Sequence, residues 1–390
     1  MRIPRQFSQQ MILSPKSHGV RRFLGLIAVL VFAGVAVLTS REILLRTEFS
    51  SDSQPPPPLP GFDRPSRTEA KVLSAKDVLS RPLATNFGVM PKLIHQSWSD
   101  QNLPAKFDAW SRSCREQNPD WEWVLWTDQD NLDLVKKHFP WFLEYYEKMP
   151  GEIFRVDLVR NMYMYVYGGI YADLDVECLR PADELFESYN VTTVPYATSY
   201  DETYPSISNT HQQKRAFFGR MGTEDDFEHS IPNAWMASTP GHPFFLLTLE
   251  SVAETLKGGS SYSSAEDLTG PLALKSNIEL YNTKYADSDA LDQRLYKSPV
   301  VHVFGPQYKQ QHAVTVLPFW AVFPYSWARD GIPFRGVCSV NSNEHDSERC
   351  KLLIAADHWG SYFITYWSHS WSPNGHDEGN LKNIEESDEK

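Results

Sequence analysis

The 390-residue sequence has no surplus of basic residues. The formal charge is −12, and setting aside the five Arg and Lys of residues 1–22 leaves −17 for the rest. Nucleic acid is therefore not expected as a partner, since binding it takes a basic surface that releases counterions. Cysteines number only four, Cys114, Cys178, Cys338 and Cys350, and no close Cys-x-x-Cys spacing occurs, which removes a structural zinc site. Internal repeats are absent. Beyond residue 40 no apolar run is long enough to span a bilayer: residues 300–304 are strand-length, and residues 318–327 are too short and aromatic.

One long apolar run is present. Residues 23–38 carry no charge, and Thr39 and Ser40 extend the run to the lower limit for a membrane helix. Arg2, Arg5, Lys16, Arg21 and Arg22 precede it without an acidic residue, so the positive-inside rule keeps the N-terminus in the cytosol. The reading is a cytosolic tail (1–22), a signal anchor (23–40) and a lumenal remainder. A cleaved signal peptide is the alternative, with an n-region unusually long for one. Four cysteines suit one or two disulfides in a lumenal domain, with Cys338 and Cys350 the pair expected to form. Asn190-Val191-Thr192 is a glycosylation sequon.

Residues 41–90 include Pro55-Pro56-Pro57-Pro58-Leu59-Pro60-Gly61 and read as an extended stem. Residues 376–390 hold six acids against two bases and read as a disordered tail. Between them, residues 91–375 alternate short apolar strands with helical stretches, the pattern of an α/β domain with a mostly parallel sheet. Strands are expected at 92–96, 123–126 and 170–178, and helices at 104–117 and 152–167. The last of these has Ile153, Val156, Val159, Tyr163 and Val166 at helical spacing and ends at Gly168-Gly169.

The chemistry concentrates just after that helix. Asp173 and Asp175 lie one residue apart near the end of the expected strand, so in regular β-geometry both project from one face. Two such carboxylates repel unless a cation lies beside them, and oxygen ligands select a hard ion such as Mn²⁺ or Mg²⁺. Glycoside hydrolysis is the rival use of paired carboxylates. It requires them to flank a bond, whereas these sit roughly 6.5 Å apart along one strand.

The segments Arg155-Val156-Asp157-Leu158-Val159-Arg160 and Tyr167-Gly168-Gly169-Ile170-Tyr171-Ala172-Asp173-Leu174-Asp175 resemble the central signature of glycosyltransferase family 32. That family includes the initiation-specific α-1,6-mannosyltransferases and the inositol-phosphoceramide mannosyltransferases. Further similarities, in order, are Ile94-His95-Gln96-Ser97-Trp98, Trp126-Thr127-Asp128, Leu268-Thr269-Gly270-Pro271 and Ser368-His369-Ser370-Trp371. The resemblance implies a GT-A fold and retaining transfer of a hexose, mannose from GDP-mannose, to a glycan or glycolipid acceptor in the Golgi or ER. It also allows a place in a multi-subunit mannosyltransferase complex. Asp173 and Asp175 are the implied catalytic and metal residues, with His369 as a third ligand or phosphate contact. Trp98, Asp157, Arg160, Tyr171 and Trp371 are the implied donor-binding residues. The additional membrane segments that inositol-phosphoceramide enzymes tend to carry toward the C-terminus have no counterpart in this sequence. A binding protein that keeps the fold without turnover is the other reading.

Overall fold

The computed structural model describes residues 68–200, 213–224, 227–259, 262–286, 290–297, 303–304 and 311–368. These lie in the compact unit Ser66–Lys390. The expected tail, signal anchor, most of the stem, the acidic C-terminus, His369 and Trp371 fall outside the described residues. Among the described residues no helix is long and apolar enough to cross a membrane.

A seven-stranded sheet organises the unit. Its strands are β1 (Lys71–Ser74), β2 (Leu93–Ser97), β3 (Glu122–Trp126), β4 (Gly169–Ala172), β6 (Lys214–Gly219), β7 (Trp235–Ser238) and β8 (His312–Leu317), in the spatial order β1-β3-β2-β4-β7-β6-β8. All pairings are parallel except those of β7, which runs against both β4 and β6. The α/β, mostly parallel architecture is the one expected. β5 (Val176–Cys178) and β9 (Phe363–Thr365) form a separate antiparallel pair.

Two expectations need correction. The fold begins near residue 70, not 91: β1 pairs with β3, and Ala70 and Leu73 are buried. With Val72 exposed on the sheet edge, the segment offers too few apolar residues to stand out from the stem. The strand expected over 170–178 is broken. β4 stops at Ala172, a turn closed by the Val176 N–H to the Asp173 carbonyl (3.1 Å) follows, and β5 departs for β9.

Of the three helices that position the site, the first and third are the ones expected, and the second, which opens at Asp128, was not foreseen. They are α1 (Ala105–Gln117), α2 (Asp128–His138) and α3 (Glu152–Val166). α2 starts where Thr127 caps the helix and Asp130 returns the bond, a reciprocal cap that fixes the chain leaving β3. α3 is a central helix, buried on all sides from Asp157 to Val166. It ends at Gly168 (φ +66°) and Gly169 (φ +86°), conformations that favour glycine. A β-carbon on Gly169 would lie 2.2 Å from the Leu93 carbonyl oxygen, and one on Gly168 would lie 2.6 Å from that of Ser238. This corner therefore clamps α3 against β2 and β7. Disulfides join Cys114 to Cys178 and Cys338 to Cys350, so the pair expected forms and a second ties α1 to β5.

Candidate active site

The carboxyl ends of β2, β3, β4 and β6 and the beginning of β7 meet along one rim of the sheet, where ligands of open α/β sheets bind. A cavity of about 970 Å³ opens there. Trp98, Asp157, Arg160, Tyr171, Asp173 and Asp175 all line it, so the described residues expected to bind donor and metal converge.

Arg160 is the hub. It is 4 % exposed, its guanidinium lies 3.0 Å from Asp157 and 3.4 Å from Asp173, and it donates to the Asn233 carbonyl at 2.7 Å. It also stacks over the Tyr171 ring at 4.6 Å. Burial opposes its charge, but Asp173, Tyr171 and Asp157 more than offset this and hold it protonated. Its Nε–H is buried without a partner among the described residues. Asp157 sits one turn away on α3 and accepts from the Asn233 side-chain amide at 2.8 Å. Burial raises its pKa against the pull of Arg160 and Asn233.

Asp173 accepts from the Tyr171 hydroxyl at 2.6 Å through the Oδ1 that faces Arg160. Burial first, and Asp175 after it, raise its pKa to about 6 against Arg160. Asp175 Oδ2 accepts from the Ser368 backbone N–H at 2.8 Å. Asp173 Oδ2 and Asp175 Oδ1 receive no donor among the described residues. Two adjacent carboxylates, each with one oxygen unengaged, fit a hard divalent cation. Among the described residues no third His, Cys, Asp or Glu joins them, and the expected third ligand, His369, lies just past the last described position.

The flanking motif residues are supports. Buried His95 donates from Nε2 to the Gly168 carbonyl (2.9 Å) and accepts on Nδ1 from the Trp126 indole (3.1 Å), which fixes a neutral tautomer. Burial pushes its pKa to about 3. Gln96 accepts from Ser111 and Trp123 and reaches the Asp173 carbonyl at 3.3 Å, holding the turn that presents the aspartates. A β-carbon on Gly270 would lie 3.1 Å from Asp157 Oδ2, so this glycine lets its loop rest on Asp157. Glu177, two residues beyond Asp175, turns away from the site: it pairs with Lys351 at 2.7 Å and accepts from the Tyr366 hydroxyl.

The sequence carried no signal for Asn233. Ser368 opened the last motif without an assigned role, and it contributes its backbone N–H, which no side-chain pattern reveals. Asp128 lay inside a matched motif without an assigned role. The far end of the cavity, lined by Met221, Phe227, Trp327, Ile332 and Arg335, was also unmarked.

Residues 104–192 match the family model described as "Glycosyltransferase sugar-binding region containing DXD motif". Inositol phosphoceramide mannosyltransferase 3 of Schizosaccharomyces pombe is 32 % identical over 205 residues, 52 % of this chain and 49 % of that protein. The initiation-specific alpha-1,6-mannosyltransferase of Saccharomyces cerevisiae is 25 % identical over 197 residues, 43 % of this chain and 40 % of that protein. Among solved structures, PaToxG glycosyltransferase aligns with a TM-score of 0.34 at 18 % identity, over 57 % of this chain and 82 % of that one. The chain spans about half the length of the curated relatives it matches. By sequence it is related to the DXD-containing glycosyltransferases of family 32, as its motifs implied.

Proposed function

We propose that this chain transfers a hexose, mannose, from a nucleotide-sugar donor of the GDP-mannose type to a glycan or glycolipid acceptor, with retention at the anomeric carbon. The observation that carries the reading is the convergence of Asp157, Arg160, Asp173 and Asp175 on one rim of the cavity, beside Trp98. A Mn²⁺ or Mg²⁺ ion bound by Asp173 and Asp175 would supply charge neutralisation for the departing diphosphate. The protein's part is placement. Trp98 offers an aromatic face for the base, and Asp157 with Arg160 present a carboxylate and a guanidinium to the sugar hydroxyls. Tyr171 and Gln96 keep Asp173 from turning away. Fixing the sugar this way supplies several kcal/mol of the barrier through orientation.

The names of the relatives support mannose as the sugar, and the inositol phosphoceramide enzymes among them support a glycolipid acceptor. The cavity's far end, with Met221, Phe227, Trp327 and Ile332, has the apolar character such an acceptor needs. The acidic balance, the paired cysteines and the apolar run at 23–40 support a membrane-anchored enzyme of the Golgi or ER, its catalytic unit lumenal, working alone or in a mannosyltransferase complex. The test is a screen of GDP- and UDP-sugars for slow hydrolysis by the full chain in detergent, with and without Mn²⁺. Metal-dependent release of mannose from GDP-mannose is expected. Binding without turnover of any donor would replace the enzyme with a sugar-nucleotide-binding protein.

A further inference from the structure

Three carboxylates of the cavity wall are not used by the proposed chemistry: Glu152 pairs with Arg155 and Glu266 lies 3.4 Å from His229, which leaves Asp128. It opens α2 immediately after β3, is partly buried, and has no hydrogen bond or ion pair among the described residues. Burial and the neighbouring Glu152 raise its pKa to about 6 against the pull of Arg155. A cavity carboxylate in that state has two acceptor oxygens to offer a ligand.

Strand order says which part of a ligand it meets. β2 lies between β3 and β4, with Ser97 opposite Trp126 and His95 opposite Tyr171. The rim therefore runs from Asp128 (after β3) through Trp98 (after β2) to Asp173 (after β4), in steps of ~4.8 Å at the backbone. The Trp98 N–H bonded to the Trp126 carbonyl at 3.0 Å keeps the first two ends in register. α3 is a second ruler. Arg160 touches Asp173, while Glu152, eight residues earlier and ~12 Å back along the helix, is the residue that neighbours Asp128. A nucleoside diphosphate with its phosphates at Asp173 and Asp175 and its base on Trp98 then turns the outer edge of the base, not the ribose, toward Asp128.

From this we infer that Asp128 determines donor specificity by accepting hydrogen bonds from the N1–H and the exocyclic amine of guanine. The inference rests on the sugar-nucleotide reading above. Guanine presents two adjacent donors, which match the two oxygens of one carboxylate. Uracil presents a single N–H flanked by carbonyl oxygens, which a carboxylate repels. Hypoxanthine keeps N1–H and lacks the amine.

The experiment measures binding of GDP, IDP and UDP to the full chain in detergent with Mn²⁺, for the native protein and for Asp128→Asn. The native protein should bind GDP about ten- to a hundredfold tighter than IDP or UDP, the discrimination of a bidentate base contact. Asp128→Asn should weaken GDP and bring the GDP-to-IDP ratio to within about twofold, with Asp128→Ser repeating the measurement should the first variant not fold. An unchanged ratio in the variants overturns the inference. Equal weakening of all three nucleotides also overturns it, by moving Asp128 to the ribose. Preference for UDP in the native protein overturns it while leaving the sugar-nucleotide reading intact, and absence of all nucleotide binding overturns both.

Discussion

The two ends of the cavity are built differently. At the end holding Asp173 and Asp175, the key side chains stand on β4, α3 and the turn after β4, and Arg160 alone contacts Asp157, Asp173, Tyr171 and Asn233. At the far end Met221, Phe227 and Trp327 come from connecting segments, and Ile332, from a short 3-10 helix (Arg329–Phe334), is 55 % exposed. A site that must fix reacting groups to fractions of an ångström is placed on rigid elements with a supporting shell. A site that only has to admit and orient an acceptor can be drawn from loops, which vary without cost to the fold.

That contrast can be broken by experiment. The largest effect should come from Asp175→Asn, which removes one charge of the proposed ion site and keeps the shape: kcat should fall more than about a hundredfold, beyond what outer-shell partners of a metal cost, with the melting temperature nearly unchanged. Turnover at the native rate would remove Asp175 from the chemistry. Next, Arg160→Ala leaves buried Asp157 and half-buried Asp173 without their shared cation and should cost about 3–5 kcal/mol in urea unfolding. Arg335→Ala at the far end loses a stack over Trp327 at 4.3 Å and a bond to its carbonyl, and should cost about 1 kcal/mol. Equal losses would erase the distinction between the ends.

Acid should separate the rim from the core beneath it. His95 and His138 are pushed down to about 3 and about 4 by burial, from 6.5. The unfolded chain binds protons below pH 6.5 that these native residues refuse, so stability falls as the pH drops from 6.5 toward 4. His95 contributes about 1.4 kcal/mol per pH unit in that window. Asp128 and Asp173, raised from 3.8 to about 6, act oppositely: the native state takes their protons first, and stability rises as the pH falls from 6 toward 4. Urea unfolding at pH 7, 6 and 5 should show a net loss, steeper in Asp128→Asn, where one opposing group is gone. The smallest expected effect is that of Ile332→Ser: about a three- to tenfold rise in acceptor KM, the scale of a partly buried aliphatic side chain, with donor hydrolysis unchanged.

Much of the charged end was legible because its residues lie on regular elements with strong periodicity. The spacing from Ile153 to Val166, closed by two glycines, gave the helix that carries Asp157 and Arg160, and the motif after it gave the aspartates. The turn at Asp173-Leu174-Asp175 was not legible, since it contains neither glycine nor proline and is imposed by Gln96 and by the departure of β5 toward β9. The far end was silent for a related reason: its side chains are ordinary apolar residues brought together only by tertiary structure.

β7 has a consequence for how such a site tolerates change. Because within the seven-stranded sheet it alone runs antiparallel to its neighbours, its entry rather than its exit reaches the shared rim, and Asn233 arrives there from upstream. The length of the chain joining β6 to β7 thus sets the reach of the group that steadies Asp157. A one-residue insertion near position 232 would leave every strand intact and still detune the pocket from outside the motifs by which the chain is known.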